Sequence, residues 1–236
     1  MAGRIVVFGE LDDRYEAERL LGERHPDLHV ESVVHRWEMV ERATAGKFDV
    51  ALILKGPIAA HQLRLDTVAG LRRNGFPGRI LFAGAFLTEK QDAIRAGADY
   101  VFDPDRQATE QVVRAALHRP VLAADHPYLR GLFVGEWVDV RAYGDALPPA
   151  APDLLLASTS CHAEAAFYGR LAAFVRANPA MRCIVVEDDG ADEARTEALA
   201  TGIQPYVVLA EEGLQHVLRL GRGFVREQWL ARLAAA

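Results

Sequence analysis

The chain has 236 residues, 50% hydrophobic and 25% charged, which excludes wholesale disorder and predicts one large or two ordinary packed domains. The formal net charge is −6, with 17 basic against 18 acidic side chains through Arg119 and 10 against 15 beyond it. Neither half therefore offers a broad nucleic-acid surface or a polybasic membrane anchor. Cys161 and Cys183 are too few for a disulfide scaffold or a thiolate metal cage, and no apolar run reaches membrane-spanning length. The opening MAGRIVVFGE enters a strand at once without a signal-peptide pattern, so a cytoplasmic location is the expectation.

Ile5 to Phe8 reads as a first strand ending at Gly9. A helix capped at Asp12 or Asp13 follows, with Leu20 and Leu21 on its apolar face. Val30 to Val34 is a strand and Trp37 to Ala45 a short helix. The run from Phe48 to Leu54 is apolar after Asp49, as a buried parallel strand should be. Next come a helix at Leu63 to Arg73, a strand at Ile80 to Phe82 and a helix at Glu89 to Ala96, C-capped by Gly97. A strand at Tyr100 to Phe102 and a helix at Ala108 to Leu117 close the first half. Five strands alternating with five helices predict a doubly wound open sheet.

The second half repeats the plan. Strands are expected at Val121 to Ala124, Trp137 to Tyr143, Leu154 to Ala157, Cys183 to Val186 and Tyr206 to Ala210. Helices are expected at Tyr128 to Phe133, Ala163 to Ala177, Asp192 to Ala200 and Glu212 to Leu220. The three prolines of GDALPPAAP replace the second helix. FDVALIL pairs with PDLLLAS, GRILFAGA with RCIVVEDD, and RAGADYVF with LATGIQPYVVL, at an offset of 104 residues for the first two pairs. An internal duplication accounts for this best. The expected division is 1–119, 120–221 and a C-terminal amphipathic helix at 222–236, with Phe224, Val225, Trp229, Leu230 and Leu233 on one stripe. Packing of that helix within the chain is the first expectation; a homodimer or partner contact is the second.

FDVALIL with Pro57 nearby, FPGRILFAGA, and above all AIRAGADYVFDP resemble the receiver domain of bacterial two-component response regulators over Arg4 to His118. The second half resembles it through its likeness to the first. The resemblance implies tandem flavodoxin-like sheets. It also implies a phosphoryl-accepting aspartate after strand three, an acidic pair holding Mg²⁺ after strand one, a hydroxyl after strand four and a Lys-Pro turn after strand five. This chain lacks the set. The acceptor position falls at Leu54 or Lys55, the acidic pair at Phe8 and Gly9 with Glu10 adjoining, the hydroxyl at Gly84 and the lysine at Asp103, followed by Pro104 where a receiver carries a cis-proline turn. A degenerate pseudo-receiver is implied. Lys55 is expected either to extend into solvent or to pair with Asp103 or Glu10. Tyr100 stands at the position of the receiver's aromatic switch, uncoupled because Gly84 has no hydroxyl.

In the second half, Ser158, Thr159, Ser160, Cys161 and His162 follow strand three, Glu187 and Asp188 follow strand four, and Glu211 follows strand five. All should rim the C-terminal edge of the sheet, where ligands bind in such folds. A Cys161–His162 nucleophile and base, a divalent metal on His162 with Glu187 and Asp188, and a phosphate cradle at Ser158 to Ser160 compete there with plain helix capping by Thr159 or Ser160. Capping is the preferred reading. No glycine fingerprint, metal motif or output-domain motif is present, so no cofactor, metal or enzymatic activity is expected. The expected function is phosphorylation-independent signalling or scaffolding through a protein partner, with no nucleic acid and no membrane. The contact face is expected at Glu89, Arg95, Tyr100, Gln111 and Arg114. A small-ligand sensor or enzyme in the second-half cleft, and a purely structural assembly subunit, are the alternatives.

Overall fold

A computed structural model describes residues 3–46, 48–144, 146–162, 165–187 and 208–236, giving backbone alone at 165, 187 and 208–212. The chain divides into two compact units, residues 1–118 with 232–236, and residues 119–231.

In the first unit, strands β1 (Arg4–Phe8), β2 (His29–Val33), β3 (Val50–Ile53), β4 (Arg79–Ala83) and β5 (Tyr100–Phe102) alternate with α1 (Leu11–Arg24), α2 (Arg36–Ala45), α3 (His61–Arg73), α4 (Leu87–Ala96) and α5 (Thr109–Leu117). The sheet is all parallel in the order β2-β1-β3-β4-β5, the doubly wound order expected. Alternation along the strands builds a core on each face. Val6, Phe8, Ala51, Ile53, Ile80 and Phe82 pack with Met39, Val68, Leu71 and Ala93 of α2, α3 and α4. The intervening Ile5, Val7, Leu52 and Leu81 are equally buried, on the face of α1 and α5. Gly97 ends α4 at φ 110°, a left-handed cap that glycine adopts without strain.

The second unit contains β6 (Val121–Ala124), α6 (Pro127–Gly131), β7 (Asp139–Ala142), β8 (Leu154–Ser158), α7 (Ala165–Ala177), β9 (Arg182–Glu187), β10 (Val208–Leu209) and most of α8 (Ala210–Ala235). Its parallel sheet runs β10-β9-β8-β6-β7, the strand order of the first sheet. The repetition reaches single hydrogen bonds. Asp49 opens strand three of the first sheet and accepts the Arg4 N–H at 3.0 Å. Asp153, 104 residues on, accepts the Val121 N–H at 2.7 Å. Each aspartate donates its own N–H back to the strand-one carbonyl at 2.8 Å. Residues 147–152 form no helix, as their prolines dictate; Leu147 packs onto the core around Tyr143, Leu155, Phe167 and Leu171 instead. The helix expected at Asp192 to Ala200, and Tyr206 of the following strand, lie outside the described residues.

One boundary differs plainly from the sequence expectation. Glu212 to Leu220 and the tail at 222–236 are a single 26-residue helix, α8, which also takes Ala210 from the predicted last strand. Its buried positions recur every four residues at Gly213, Val217, Gly221, Val225, Trp229 and Leu233. A methyl group on Gly221 would come within 2.4 Å of the Phe133 ring, so this glycine permits close packing and does not end the helix. The stripe is covered within the chain, as first expected, and the last five residues belong to the first unit.

Candidate functional site

A receiver holds its phosphoryl group at the C-terminal edge of its sheet; at that edge of the first sheet here, other residue types stand at each of those positions. Leu54 follows β3 and is buried, its N–H bonded to the Phe8 carbonyl at 2.8 Å. A side chain on Gly9 would begin 2.8 Å from the Leu54 Cβ, so the missing acidic residue and the missing acceptor are complementary: one is small so that the other seats. Phe8 is buried in the core. Asp103, at the lysine position, builds a turn. Its Oδ1 accepts the Asp105 N–H at 3.1 Å, its carbonyl receives Arg106 and Gln107, and Oδ2 lies 3.5 Å from Arg106 Nε. The Asp103–Pro104 peptide is trans. Lys55 neither extends unpaired into solvent nor pairs with Asp103 or Glu10, the two expectations; it pairs with Asp105 at 2.9 Å, and that pair raises its pKa. Glu10 precedes α1 with an exposed side chain.

The hydroxyl position holds a different device. Gly84 leaves room for Glu89, whose Oε2 would lie 3.4 Å from an added Cβ. Glu89 Oε2 accepts the N–H groups of Ala85 (3.1 Å) and Phe86 (3.2 Å), holding the β4–α4 loop. Its other oxygen lies 3.4 Å from Arg64 Nη1. Arg64 reaches from α3, is almost wholly buried, donates to the Ala83 carbonyl and lies 4.1 Å over the Phe82 ring. Burial lowers the Arg64 pKa while Glu89 opposes that shift. Arg64 sat unnoticed in the sequence because a cation on an amphipathic helix ordinarily faces water.

The expected contact face on α4, β5 and α5 is not a free surface throughout. Glu89 is turned inward as just described. The Tyr100 hydroxyl lies 3.3 Å from both Gln107 Oε1 and the Leu233 carbonyl, and Gln107 Nε2 donates to the same carbonyl at 2.9 Å. The chain's own C-terminal turn therefore occupies the tyrosine. Arg114 belongs to another cluster: its Nη1 contacts His25 Nδ1 at 2.5 Å, and His25 Nε2 contacts Glu110 at 2.6 Å. Hydrogen bonds from His25 and then Arg24 depress the Glu110 pKa. Arg95 and Gln111 remain exposed.

At the edge of the second sheet the structure brings together a residue that the sequence reading passed over. Asp125 directly follows β6 and corresponds in strand register to Phe8, one of the positions of the receiver's acidic pair; the offset of 104 residues does not lead to it, because strand one recurs at 117. It is 8% exposed. Its Oδ2 accepts the Ser158 N–H at 2.7 Å and Oδ1 the His126 N–H at 2.5 Å. It thus ties strand one to the end of strand three, where in the first sheet the Phe8 carbonyl accepts the Leu54 N–H. His162 is buried, stacked on Phe167 at 3.6 Å with an interplanar angle of 9° and on Tyr143 at 6.2 Å. Its Nε2 comes within 3.2 Å of Asp125 Oδ2 but out of line for a hydrogen bond, that oxygen already serving Ser158. Burial raises the Asp125 pKa; burial and then the Asp125 charge raise that of Tyr143, whose hydroxyl donates to the Leu156 carbonyl at 3.0 Å.

The three chemistries weighed for this cleft fare differently. Cys161 is exposed while His162 points inward, so adjacency does not make them a nucleophile and base. The Ser158 and Ser160 hydroxyls bond each other at 2.7 Å, and Ser160 N–H donates to Ser158 Oγ at 3.3 Å, leaving no open phosphate cradle. Thr159 is half-buried with its N–H on Val186. Asp188 lies outside the described residues, as do the side chains of Glu187 and Glu211, so the metal set is not assembled on the described part; no group of three metal-ligating side chains occurs among the described residues. Residues 163 and 164, just ahead of α7, are outside the described residues; of the two cap candidates, Ser160 bonds Ser158 and Thr159 N–H bonds the Val186 carbonyl. Cys183 is buried, and that burial pushes its thiol up to about 12, an inert core position.

A groove of about 660 Å³ opens beside that edge of the first sheet, between α1, the end of β3 and the start of α5. Among the described residues no helix is long and apolar enough to cross a membrane. No family model and no curated protein matches the chain. Among solved structures it is similar to two proteins described as two-component system response regulator/GGDEF domain proteins. The first has a TM-score of 0.42 at 14% identity, over 94% of this chain and 99% of that one. The second has a TM-score of 0.44 at 12% identity, over 96% and 99%. The GsuK channel bound to ADP gives a TM-score of 0.31 at 12% identity, over 97% of this chain and 70% of that one.

Proposed function

We propose that the chain is a phosphorylation-independent, receiver-shaped interaction module that binds a protein partner through the C-terminal rim of its first sheet. One observation carries this. Of the eleven large apolar side chains exposed among the described residues, six stand at that rim: Leu11 after β1, Val34 and Trp37 after β2, Ile58 after β3, and Phe86 and Leu87 after β4. Ile58 is 85% and Leu87 70% exposed. Scattered apolar residues mean little, but their concentration at one edge of the sheet, four of the six beside positions that carry charge chemistry in a receiver, supports an interaction surface. The rim replaces the α4–β5–α5 face as the favoured contact, because that face is partly occupied by the chain's own residues. The second-unit cleft supports a ligand or enzyme reading less well, since Ser158, Asp125 and His162 are buried and engaged with one another.

Two experiments test the proposal. The purified chain, incubated with Mg²⁺ and acetyl phosphate, should show no added phosphate by intact mass, because Leu54 and Lys55 cannot form an acyl phosphate; a stoichiometric, hydroxylamine-labile adduct would contradict it. Once a partner has been cross-linked and identified, the double variant Ile58→Asp/Phe86→Asp should lose about 2 kcal/mol of binding or more, roughly 30-fold. The pair Arg95→Glu/Gln111→Glu should bind as the parent does. Melting temperatures close to the parent's establish that each variant is folded. Loss confined to the Arg95/Gln111 variant would move the interface back to α4 and α5.

A further inference from the structure

Two arginines are buried among the described residues, and they are treated differently by the fold. Arg64 has Glu89, the Ala83 carbonyl and the Phe82 ring. Arg14, on α1, is 5% exposed, and its side chain makes no hydrogen bond, ion pair or ring contact among the described residues. Its Nε is fully enclosed without an acceptor, while the two terminal nitrogens are not fully enclosed. Arg14 shares the buried stripe of α1 with Ala17 and Leu21 and does not line the groove beside that helix. The acids closest to it in sequence are placed elsewhere. Glu18, one turn on, accepts the Ser32 hydroxyl at 2.7 Å, and Glu10, Asp12 and Asp13 are exposed. A guanidinium withdrawn from water with neither counter-charge nor acceptor is costly to the fold, and a donor so placed calls for a partner.

We infer that Arg14 anchors a carboxylate-binding site at the start of α1, the two carboxylate oxygens accepting hydrogen bonds from its terminal nitrogens. A planar guanidinium fork matches a carboxylate with two parallel hydrogen bonds. Glu10 gives α1 no side-chain cap, so the N–H groups of the first turn add a field that favours an anion. Asp12 and Asp13 in the same turn oppose charge, which selects a singly charged carboxylate over a doubly charged phosphate.

The test uses the full ¹⁵N-labelled chain, titrated at constant ionic strength with sodium acetate, with inorganic phosphate and with N-acetylaspartate N-methylamide. Acetate is expected to bind saturably in the millimolar range, to shift the Arg14 Nε–Hε signal and the amides of Leu11 to Arg14, and to raise the melting temperature. Phosphate should bind at least tenfold more weakly. A carboxylate is carried both by small organic acids and by acidic side chains of proteins, and the blocked aspartate separates the two. Binding as tight as that of acetate assigns the site to a protein side chain; exclusion of the bulkier compound assigns it to a free small acid. Arg14→Met should abolish binding and melt above the ligand-free parent, since it fills similar space without a buried charge. Arg14→Lys, a point charge without the fork, should weaken acetate at least tenfold. Absence of saturable binding, phosphate bound as tightly as acetate, or an Arg14→Met variant that binds as the parent does would each overturn the inference. So would an Arg14→Met variant that melts below the parent, because the guanidinium would then already have a stabilising partner within the chain. None of these readouts involves a protein partner, so failure here leaves the rim proposal standing.

Discussion

Replacing Arg64 by Ala is expected to cost about 3–5 kcal/mol of folding stability, the range for removing one partner of a buried ion pair. The guanidinium is buried beneath the β4–α4 loop, where it donates to the Ala83 carbonyl, faces Glu89 and covers the Phe82 ring. Its loss leaves the inward-facing Glu89 without its cation and the carbonyl without a donor. Arg64→Met should recover part of the loss, because the ring contact is apolar and buried pairs are replaceable by packed hydrocarbon. Glu89 also holds the Ala85 and Phe86 N–H groups, so Glu89→Ala should loosen the loop that presents Phe86 and Leu87, weakening rim binding beyond its effect on stability. Urea denaturation of the three variants measures the first effect. A change within about 0.5 kcal/mol for Arg64→Ala, the scale of ordinary surface substitutions, would show that the pair carries no such weight. In a receiver the loop after strand four responds to phosphate. Here a permanent internal pair fixes it, which fits a surface held in one state.

Much of this architecture was legible because buried parallel strands leave continuous apolar runs, and Val50–Ile53 and Leu154–Ser158 are buried at every position. The repeated aspartates Asp49 and Asp153 were visible too, though their role as strand-opening acceptors needed coordinates. The packing role of Gly221 was not visible for a physical reason. A glycine that stops a helix and one that admits a neighbouring ring are the same letter, and the cost of about 1 kcal/mol relative to Ala is offset by packing along the stripe. The site was less legible. That the residues implied by a receiver resemblance are absent could be read from Leu54, Gly84 and Asp103, but what stands around those positions could not. Arg64 and Glu89 are 25 residues apart, and Tyr100 and Leu233 are separated by 133. Only the fold decides that such residues meet.

Asp125→Ala is expected to cost about 2–4 kcal/mol, since it strands the buried N–H of Ser158 and that of His126, each orphan worth about 1–3 kcal/mol before the relief of burying a carboxylate is subtracted. Asp125→Asn separates the charge from the shape. Burial raises the Asp125 pKa against the lowering pull of the two N–H donors and of His162; Tyr143 and Cys183 are titratable groups that feel its charge. Below the ordinary carboxylate value of 3.8 both folded and unfolded forms are protonated. Above it the unfolded chain releases its proton first while the native carboxyl keeps it. The native state then binds more protons, and this residue's contribution to stability falls as pH rises, levelling off beyond the raised native pKa. The stability of the parent relative to Asp125→Asn should therefore decline upward from about pH 3.8 and then flatten, as read from urea midpoints across an acid-to-neutral series. The opposite slope would mean that the donors and His162 outweigh burial, making Asp125 a stabilising anion at neutral pH. A flat difference would mean that the carboxyl titrates alike in both states. In either case the tie between β6 and the end of β8 would rest on hydrogen-bond geometry and not on a reluctantly ionised acid.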